Sequence, residues 1–213
     1  MAIKSDREYR DMTIEIRTAE TEEAPEERKV VTGYASTFNE PYTLYENEDW
    51  RFNEVVDARA FENTDMSDVI MQYDHEGRVF ARMSNNTLTV TPDEKGLLIE
   101  ADLGGTELGR QLFEEIRGGY TNKMSFGFTV DGEEVRDMRD ADGKDLTVRT
   151  ITSVRKLYDV SAVSLPANDA TSISVRSLTD GEIERIRAER LEAEALELRR
   201  RKLLAKVKLN GGQ

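Results

Sequence analysis

The sequence predicts a mainly β protein with one internal helix, followed by a charged C-terminal helix. Three observations support this fold class. Short apolar stretches of strand length recur up to about residue 165, with turn-forming residues between them. Residues 106–117 change to helical period, and residues 182–209 contain neither glycine nor proline. Many short strands at this spacing are typical of a β-barrel or a β-sandwich.

The strands are predicted from alternating or continuous apolar runs. Residues 1–12 are polar and are expected to be poorly ordered, and residues 41–50, rich in aromatic and acidic side chains, are expected to form a loop. The predicted strands are Thr13–Arg17, Lys29–Phe38, Arg51–Val56, Val69–Tyr73, Val79–Met83, Thr87–Thr91, Gly96–Leu103, Lys123–Val135, Thr147–Val154 and Tyr158–Leu165.

The internal helix is predicted over Thr106–Arg117. Its apolar residues at helical spacing define one face, and two glycines at 118 and 119 supply a C-terminal stop. The residues of this face are Leu108, Leu112, Phe113 and Ile116. A face of this kind is expected to pack against the strands.

The C-terminal segment differs from the rest of the chain. Thr179–Glu182 fits a capping box, acids crowd the first turns that follow, and Arg199–Lys202 lies in the last third, as a helix dipole favours. The pattern fits an exposed interaction helix or a packed core helix. We therefore divide the chain into a polar segment with a short strand (1–28), a core (29–178) and a charged helix (179–213).

Composition limits the class of protein. The formal charge is −13, and from Asp180 onward nine bases outnumber seven acids, so the preceding part carries −15. This negative charge argues against a nucleic-acid-binding protein. It indicates either long-range attraction of basic partners or an ordinary acidic surface exposed to solvent. Without cysteine there are no disulfides or thiolate metal sites. The charged start and the lack of a long apolar run predict a cytoplasmic protein with no secretory signal or membrane span.

His75 and Ser125 are the candidate base and nucleophile. His75 is the one histidine of the chain and follows the apolar strand Val69–Tyr73, and Ser125 lies in the stretch Met124–Phe128. A serine hydroxyl needs a neighbouring base, and histidine suits that task because it titrates near neutral pH. Each residue also has a plain interpretation: a structural or surface histidine, and a serine of an ordinary strand. Gly127 would permit close backbone approach or a bulge beside a reactive hydroxyl.

Four segments, taken in order, resemble the prohead maturation proteases of tailed bacteriophages. The resemblance runs from about Lys29 to Arg176, and its motifs are specific as a set. The segments are Gly33–Asn39, Tyr73–Glu76, Met124–Phe128 and Tyr158–Asn168. The resemblance implies a β-barrel-like core akin in fold to the herpesvirus capsid-assembly proteases.

The resemblance also implies a role for each candidate residue. His75 would be the general base and Ser125 the nucleophile. The family usually has an acid, commonly Glu, just before its Val-Ser segment, and Asp159 occupies that position, where it would orient His75. Asp159 could instead be a strand-end acid that bonds backbone or Arg155. The herpesvirus enzymes use a second histidine, and this chain has none to offer.

The chain departs from the family pattern at two places. Ala58-Arg59 stands where the family often has Pro-Gly, which affects a local turn, and Arg82 lies where the family often has a Gly-Arg pair, with packing or surface charge as its expected role. Backbone N–H groups near Phe126 and Gly127 are conceivable oxyanion donors. No cofactor or metal is expected, because one histidine and scattered acids make no ligand spacing.

The function implied is that of a serine endopeptidase. It would cleave scaffold or major capsid protein, with its own chain as a further candidate substrate, within the assembling procapsid in the host cytoplasm. The expected partners are those substrates, with no nucleic acid or membrane, and a homodimer is conceivable. The segment from residue 179 would dock the enzyme to scaffold or be trimmed. The alternative is a catalytically silent capsid-assembly component with the same fold.

Overall fold

Strands dominate the structure, a computed structural model that describes residues 7–12, 17–18 and 29–164 together with positions 188, 192 and 199. The chain divides into two compact units, Met1–Ser177 and Leu178–Gln213. Between residues 7 and 164 the described residues form eleven strands and one α-helix, so the predicted mainly β class is confirmed.

The strands alternate in burial where one face meets the core, as in β3 and β5. The elements are β1 (Glu8–Met12), β2 (Arg17–Thr18), β3 (Val30–Thr37), β4 (Tyr42–Glu46), β5 (Trp50–Val56), β6 (Ile70–Tyr73), β7 (Glu76–Arg82), β8 (Leu88–Pro92), β9 (Gly96–Asp102), α1 (Glu107–Arg117), β10 (Lys123–Arg139) and β11 (Asp145–Val163).

Two sheets make up this unit. The larger has seven strands in the order β1-β10-β11-β5-β4, with β6 paired to β11 and β7 paired to β6, and the smaller has the order β2-β3-β9-β8. Strand β11 organises the larger sheet, because it pairs antiparallel with β10 on one side. On its other side it pairs parallel with β5 over residues 145–151 and parallel with β6 over residues 159–162.

The predicted barrel is not closed. Among the described residues, β1, β4 and β7 each pair on one side only, so the seven-stranded sheet has three edge strands. The two sheets share a hydrophobic core but no strand, which makes the arrangement two packed open sheets. The core combines apolar side chains from both sheets and the helix, including Val31, Ile99, Leu112, Phe126 and Val160.

The internal helix is confirmed, with bounds Glu107–Arg117. The Thr106 hydroxyl accepts a hydrogen bond from the backbone N–H of Gly109 at 2.9 Å, which caps the first turn. Gly119 has φ +75°, the left-handed conformation that ends many helices. Leu112 and Ile116 are buried as predicted, whereas Leu108 is 37% exposed. The buried face is therefore narrower than the sequence suggested.

The structure corrects several element predictions. Residues 8–12 form β1 instead of a disordered segment, and Tyr42–Glu46 forms β4 within the predicted loop. One long strand, β11, replaces the two predicted over 147–165, because Lys156 and Leu157 continue the pairing with β10 and Arg155 is accommodated at a register shift.

The C-terminal helix remains a prediction. Ala188, Glu192 and Arg199 are helical and exposed, and the other residues of that segment lie outside the described part of the chain. The division into three functional segments is likewise a prediction.

Candidate active site

His75 lies in the two-residue turn that joins β6 to β7. Tyr73 pairs with Glu76, and both turn residues have positive φ, 49° at Asp74 and 59° at His75. Such tight hairpin turns normally use Asn or Gly, so a histidine here is held in an uncommon conformation. Ser164 stabilises the turn, because its backbone N–H donates to the Asp74 carboxylate at 2.9 Å. Backbone strain of this kind is often found at functional sites.

Ser125 and Asp159 lie on adjacent strands of the larger sheet. In the β10–β11 register, Ser125 is opposite Ser161 and Gly127 is opposite Asp159. Strand β6 runs parallel to β11 there, with Tyr73 beside Ala162, and this pairing carries His75 to the same end of the sheet. Three separate segments of the chain therefore meet at one place.

The side chains of these three residues form a continuous hydrogen-bonded series. His75 Nε2 lies 2.5 Å from Ser125 Oγ, and His75 Nδ1 lies 2.5 Å from Asp159 Oδ1. Ser125 and Asp159 are completely buried, and the His75 side chain is 14% exposed. An imidazole that donates from Nδ1 to a carboxylate has its Nε2 free to accept a hydroxyl proton. The arrangement can thus activate a serine hydroxyl.

Two further groups hold the Asp159 carboxylate. The Ser161 hydroxyl donates to Asp159 Oδ1 at 2.8 Å, and the Arg7 guanidinium pairs with Oδ2. Arg7 also lies over the Tyr158 ring, with 4.5 Å from its Cζ to the ring centroid. Burial lowers the pKa of the Arg7 guanidinium, while nearby tyrosines oppose that shift. The carboxylate therefore has fixed partners besides His75.

Gly127 has no side chain, and the Asp159 carboxylate lies where the Cβ of any other residue would be. A Cβ at residue 127 would overlap Asp159 Oδ2 and would lie 2.9 Å from the Arg7 guanidinium. The strand register shifts directly after Gly127, because β11 has one extra residue there, Tyr158, which forms a bulge opposite β10. Of the two roles suggested by the sequence for this glycine, close approach is confirmed, whereas the bulge lies opposite it on β11.

Other residues weighed from the sequence lie away from the three. Arg82 pairs with Asp68 at 2.8 Å and is partly exposed, so its surface-charge interpretation is confirmed. Arg155, the alternative partner of Asp159, instead pairs with Asp131 at 3.2 Å. The suggested oxyanion donors near Phe126 and Gly127 remain a prediction.

Sequence reasoning missed Ser161, Arg7 and Tyr9. Ser161 could have been found, because residues two apart on a strand share a face, which places it beside Asp159. Tyr9 packs edge-on against His75, with ring centroids 4.4 Å apart. Nothing in the polar N-terminal residues signals that Arg7 and Tyr9 reach this site.

The described residues hold no cluster of three or more His, Asp or Glu side chains arranged for a metal ion. No helix among them is both long and apolar enough to cross a membrane.

Comparison with known proteins identifies one family. The family model described as caudovirus prohead serine protease matches residues 13–185, which include His75, Ser125 and Asp159. No curated protein and no solved structure matches the chain detectably.

Proposed function

The chain belongs to the caudovirus prohead serine protease family, and we propose that it is a serine endopeptidase of phage head maturation. Its proposed substrates are scaffold and major capsid protein segments inside the assembling procapsid, with its own chain as a further candidate. The family supports a capsid maturation protease in general. The particular substrates and the roles of individual residues belong to this proposal.

In the proposed reaction, Ser125 Oγ attacks the carbonyl carbon of the scissile peptide bond while His75 Nε2 takes the hydroxyl proton. The tetrahedral intermediate collapses as His75 returns that proton to the leaving amine, which breaks the C–N bond and leaves an acyl-enzyme. A water molecule then gives its proton to His75 and attacks the ester carbonyl. The acid product leaves when Ser125 regains the proton. Asp159 accepts the Nδ1 hydrogen bond throughout and stabilises the imidazolium.

One observation supports this assignment above the others. His75 contacts Ser125 through one ring nitrogen and Asp159 through the other, both at 2.5 Å. A histidine placed only for packing needs no such pair of partners, whereas a general base needs both.

The test is co-expression of the full chain with the capsid and scaffold proteins of its phage. We expect wild type to generate defined fragments and Ser125→Ala to generate none, because the nucleophile is lost. Ser84→Ala, at an exposed serine between β7 and β8, is the matched control and should cleave as wild type. Identical fragment patterns from wild type and Ser125→Ala would disprove the protease assignment.

The second candidate function is a catalytically silent assembly component. The complete burial of Ser125 favours it, since a buried hydroxyl meets no substrate unless something moves. In that case wild type and Ser125→Ala would support capsid assembly equally well and neither would cleave. For the charged segment from residue 179 onward we propose docking to scaffold.

A further inference from the structure

Strand β1 lies beside the proposed nucleophile, as the neighbour of β10 in the larger sheet. It pairs antiparallel with β10, so that Asp11 is opposite Ser125 and Arg10 is opposite Phe126. Ser125 Oγ donates a hydrogen bond to the backbone carbonyl oxygen of Arg10 at 3.0 Å. An extended segment of the chain therefore occupies the strand edge beside Ser125, as a peptide substrate would by strand addition.

The pose of β1 is not a reactive one. Attack requires Ser125 Oγ to approach the carbonyl carbon with its oxygen directed to other donors, whereas here the hydroxyl faces the oxygen itself. A serine hydroxyl also has one proton, so donation to Arg10 competes with donation to His75. β1 thus resembles a bound peptide whose backbone is held out of the reaction.

The side chain of Arg10 fills a buried anionic pocket. Arg10 is 2% exposed, and its guanidinium bonds both carboxylate oxygens of Glu54, which is fully buried. The Tyr42 hydroxyl donates to the same Glu54 carboxylate. Burial would lower the pKa of Arg10, but the Glu54 charge and its hydrogen bond raise that pKa above its ordinary value. The pocket therefore fits a cation.

A second charged contact lies two residues earlier on β1. Arg149 bonds the Glu8 carboxylate at 2.8 and 3.0 Å and Glu54 at 2.7 Å. Glu8 and Arg10 face the same side because residues two apart on a strand do so. We call Glu8, Arg10, Glu54 and Arg149 the ionic cluster.

The ionic cluster would stay complementary to a peptide if β1 left. Departure of β1 removes one acid and one base, Glu8 and Arg10, and leaves Arg149 with Glu54 and with Glu133, which also bonds Arg149. That remainder has one excess negative charge. It offers a cation for an acidic side chain and a buried carboxylate for a basic one.

We propose that β1 occupies the substrate-binding edge of β10, and that the enzyme selects extended segments with an acidic residue two positions before an arginine. Glu54 receives the arginine and Arg149 receives the acid, at the positions of Arg10 and Glu8. Cleavage follows that arginine, because its carbonyl lies beside Ser125. β1 must leave before substrate enters. This inference rests on the proposed function.

The test measures peptide binding to full-length Ser125→Ala, which needs no catalysis. The probe is a fluorescein-labelled peptide with the sequence of residues 7–12, and the control peptide has alanine in place of its second arginine. Adding Arg10→Ala to the protein should weaken β1 and tighten probe binding about tenfold, because a desolvated charge pair is lost. The control peptide should bind about tenfold more weakly than the probe.

Two further measurements keep the test decisive. Glu54→Gln in the same background should abolish the preference for the arginine peptide. Hydrogen exchange of the amides of residues 8–12 should accelerate when the probe binds, because the probe displaces β1. If Arg10→Ala does not fold, Glu8→Gln, which weakens the contacts of residue 8 with Arg149 and Arg10 but keeps the Arg10–Glu54 pair, should tighten binding to a smaller extent.

Equal affinity for both peptides, or β1 amides that stay protected in the complex, would overturn the inference. These outcomes are separable from failure of the proposed function. A wild-type chain that cleaves capsid protein but shows no peptide preference contradicts the inference alone. Selective binding without any cleavage by wild type contradicts the protease assignment alone.

Discussion

Two groups of buried polar side chains lie at or beside β1, and they differ in the interactions that stabilise them. The proposed catalytic residues His75, Ser125 and Asp159 are joined by directed hydrogen bonds. The ionic cluster consists of full charges that compensate one another, with Glu54 bonded by both Arg10 and Arg149. The first group depends on the alignment of a few atoms, whereas the second depends on charge balance among largely buried side chains.

This difference separates activity from stability. A change that misaligns the catalytic residues should reduce the cleavage rate with little effect on unfolding, since their side chains stay buried and hydrogen-bonded. A change in the ionic cluster should destabilise the fold, because a charge left alone in the interior is costly. The following predictions test that separation.

The largest effect is expected for Asp159→Asn. The NH2 group of an asparagine donates hydrogen bonds and cannot accept one from His75 Nδ1. An imidazole that faces this group carries its proton on Nε2, so it cannot take the Ser125 proton there, and the cleavage rate should fall by about 10⁴-fold. Single-turnover cleavage and thermal unfolding measure the two consequences separately. Asp131→Asn, at an exposed carboxylate, is the control and should retain full activity. A loss smaller than tenfold would remove Asp159 from the proposed role.

The next effect is expected for Arg149→Met and concerns stability. The variant removes a cation from Glu8, Glu54 and Glu133, of which Glu8 and Glu54 still contact Arg10, and the free energy of unfolding should fall by about 3–5 kcal/mol. Denaturant unfolding measures it. Arg136→Met, at a side chain 73% exposed, should change stability by less than about 0.5 kcal/mol. If both variants unfold alike, charge balance does not hold the ionic cluster.

A smaller effect is expected for Gly127→Ala. The added methyl group displaces the Asp159 carboxylate and Arg7, which are side-chain ends that can move without disturbing the core. We expect cleavage to fall by about 100-fold, as for other misplacements of about 1 Å, with a small change in melting temperature. Gly105→Ala, where a Cβ meets nothing within 4 Å, is the matched control. Unchanged kinetics would show that Asp159 tolerates displacement.

The three proposed catalytic residues could be named from the sequence because each lies in a short motif, and the structure brings them into contact. The sequence could not indicate β1, since Glu8–Met12 lacks an apolar alternation and is instead held by partners far along the chain, Glu54 and Arg149. Charge compensation between distant segments leaves no local pattern.

The topology of the larger sheet was also beyond local reasoning. The bulged register of β10 and β11 accommodates Arg155 and Lys156 within one strand, where the sequence predicted two separate strands. The prediction of a barrel was wrong, because the spacing of strands along the sequence does not show whether the edge strands of a sheet pair with each other and close it. Helix α1 was predictable because its period and its terminal glycines act locally.

The pairing of β6 with β11 has a consequence for folding. Ser125 and Asp159 belong to one hairpin of neighbouring strands, whereas His75 lies 50 positions before Ser125 and 84 before Asp159 and reaches them through the parallel pairing of β6 with β11. Hairpins form within about 10 μs, and contacts between distant segments form later because closing a long loop costs chain entropy. We expect the hairpin to form before β6 docks. The proposed catalytic residues therefore cannot assemble in a nascent chain until the ribosome has delivered β11.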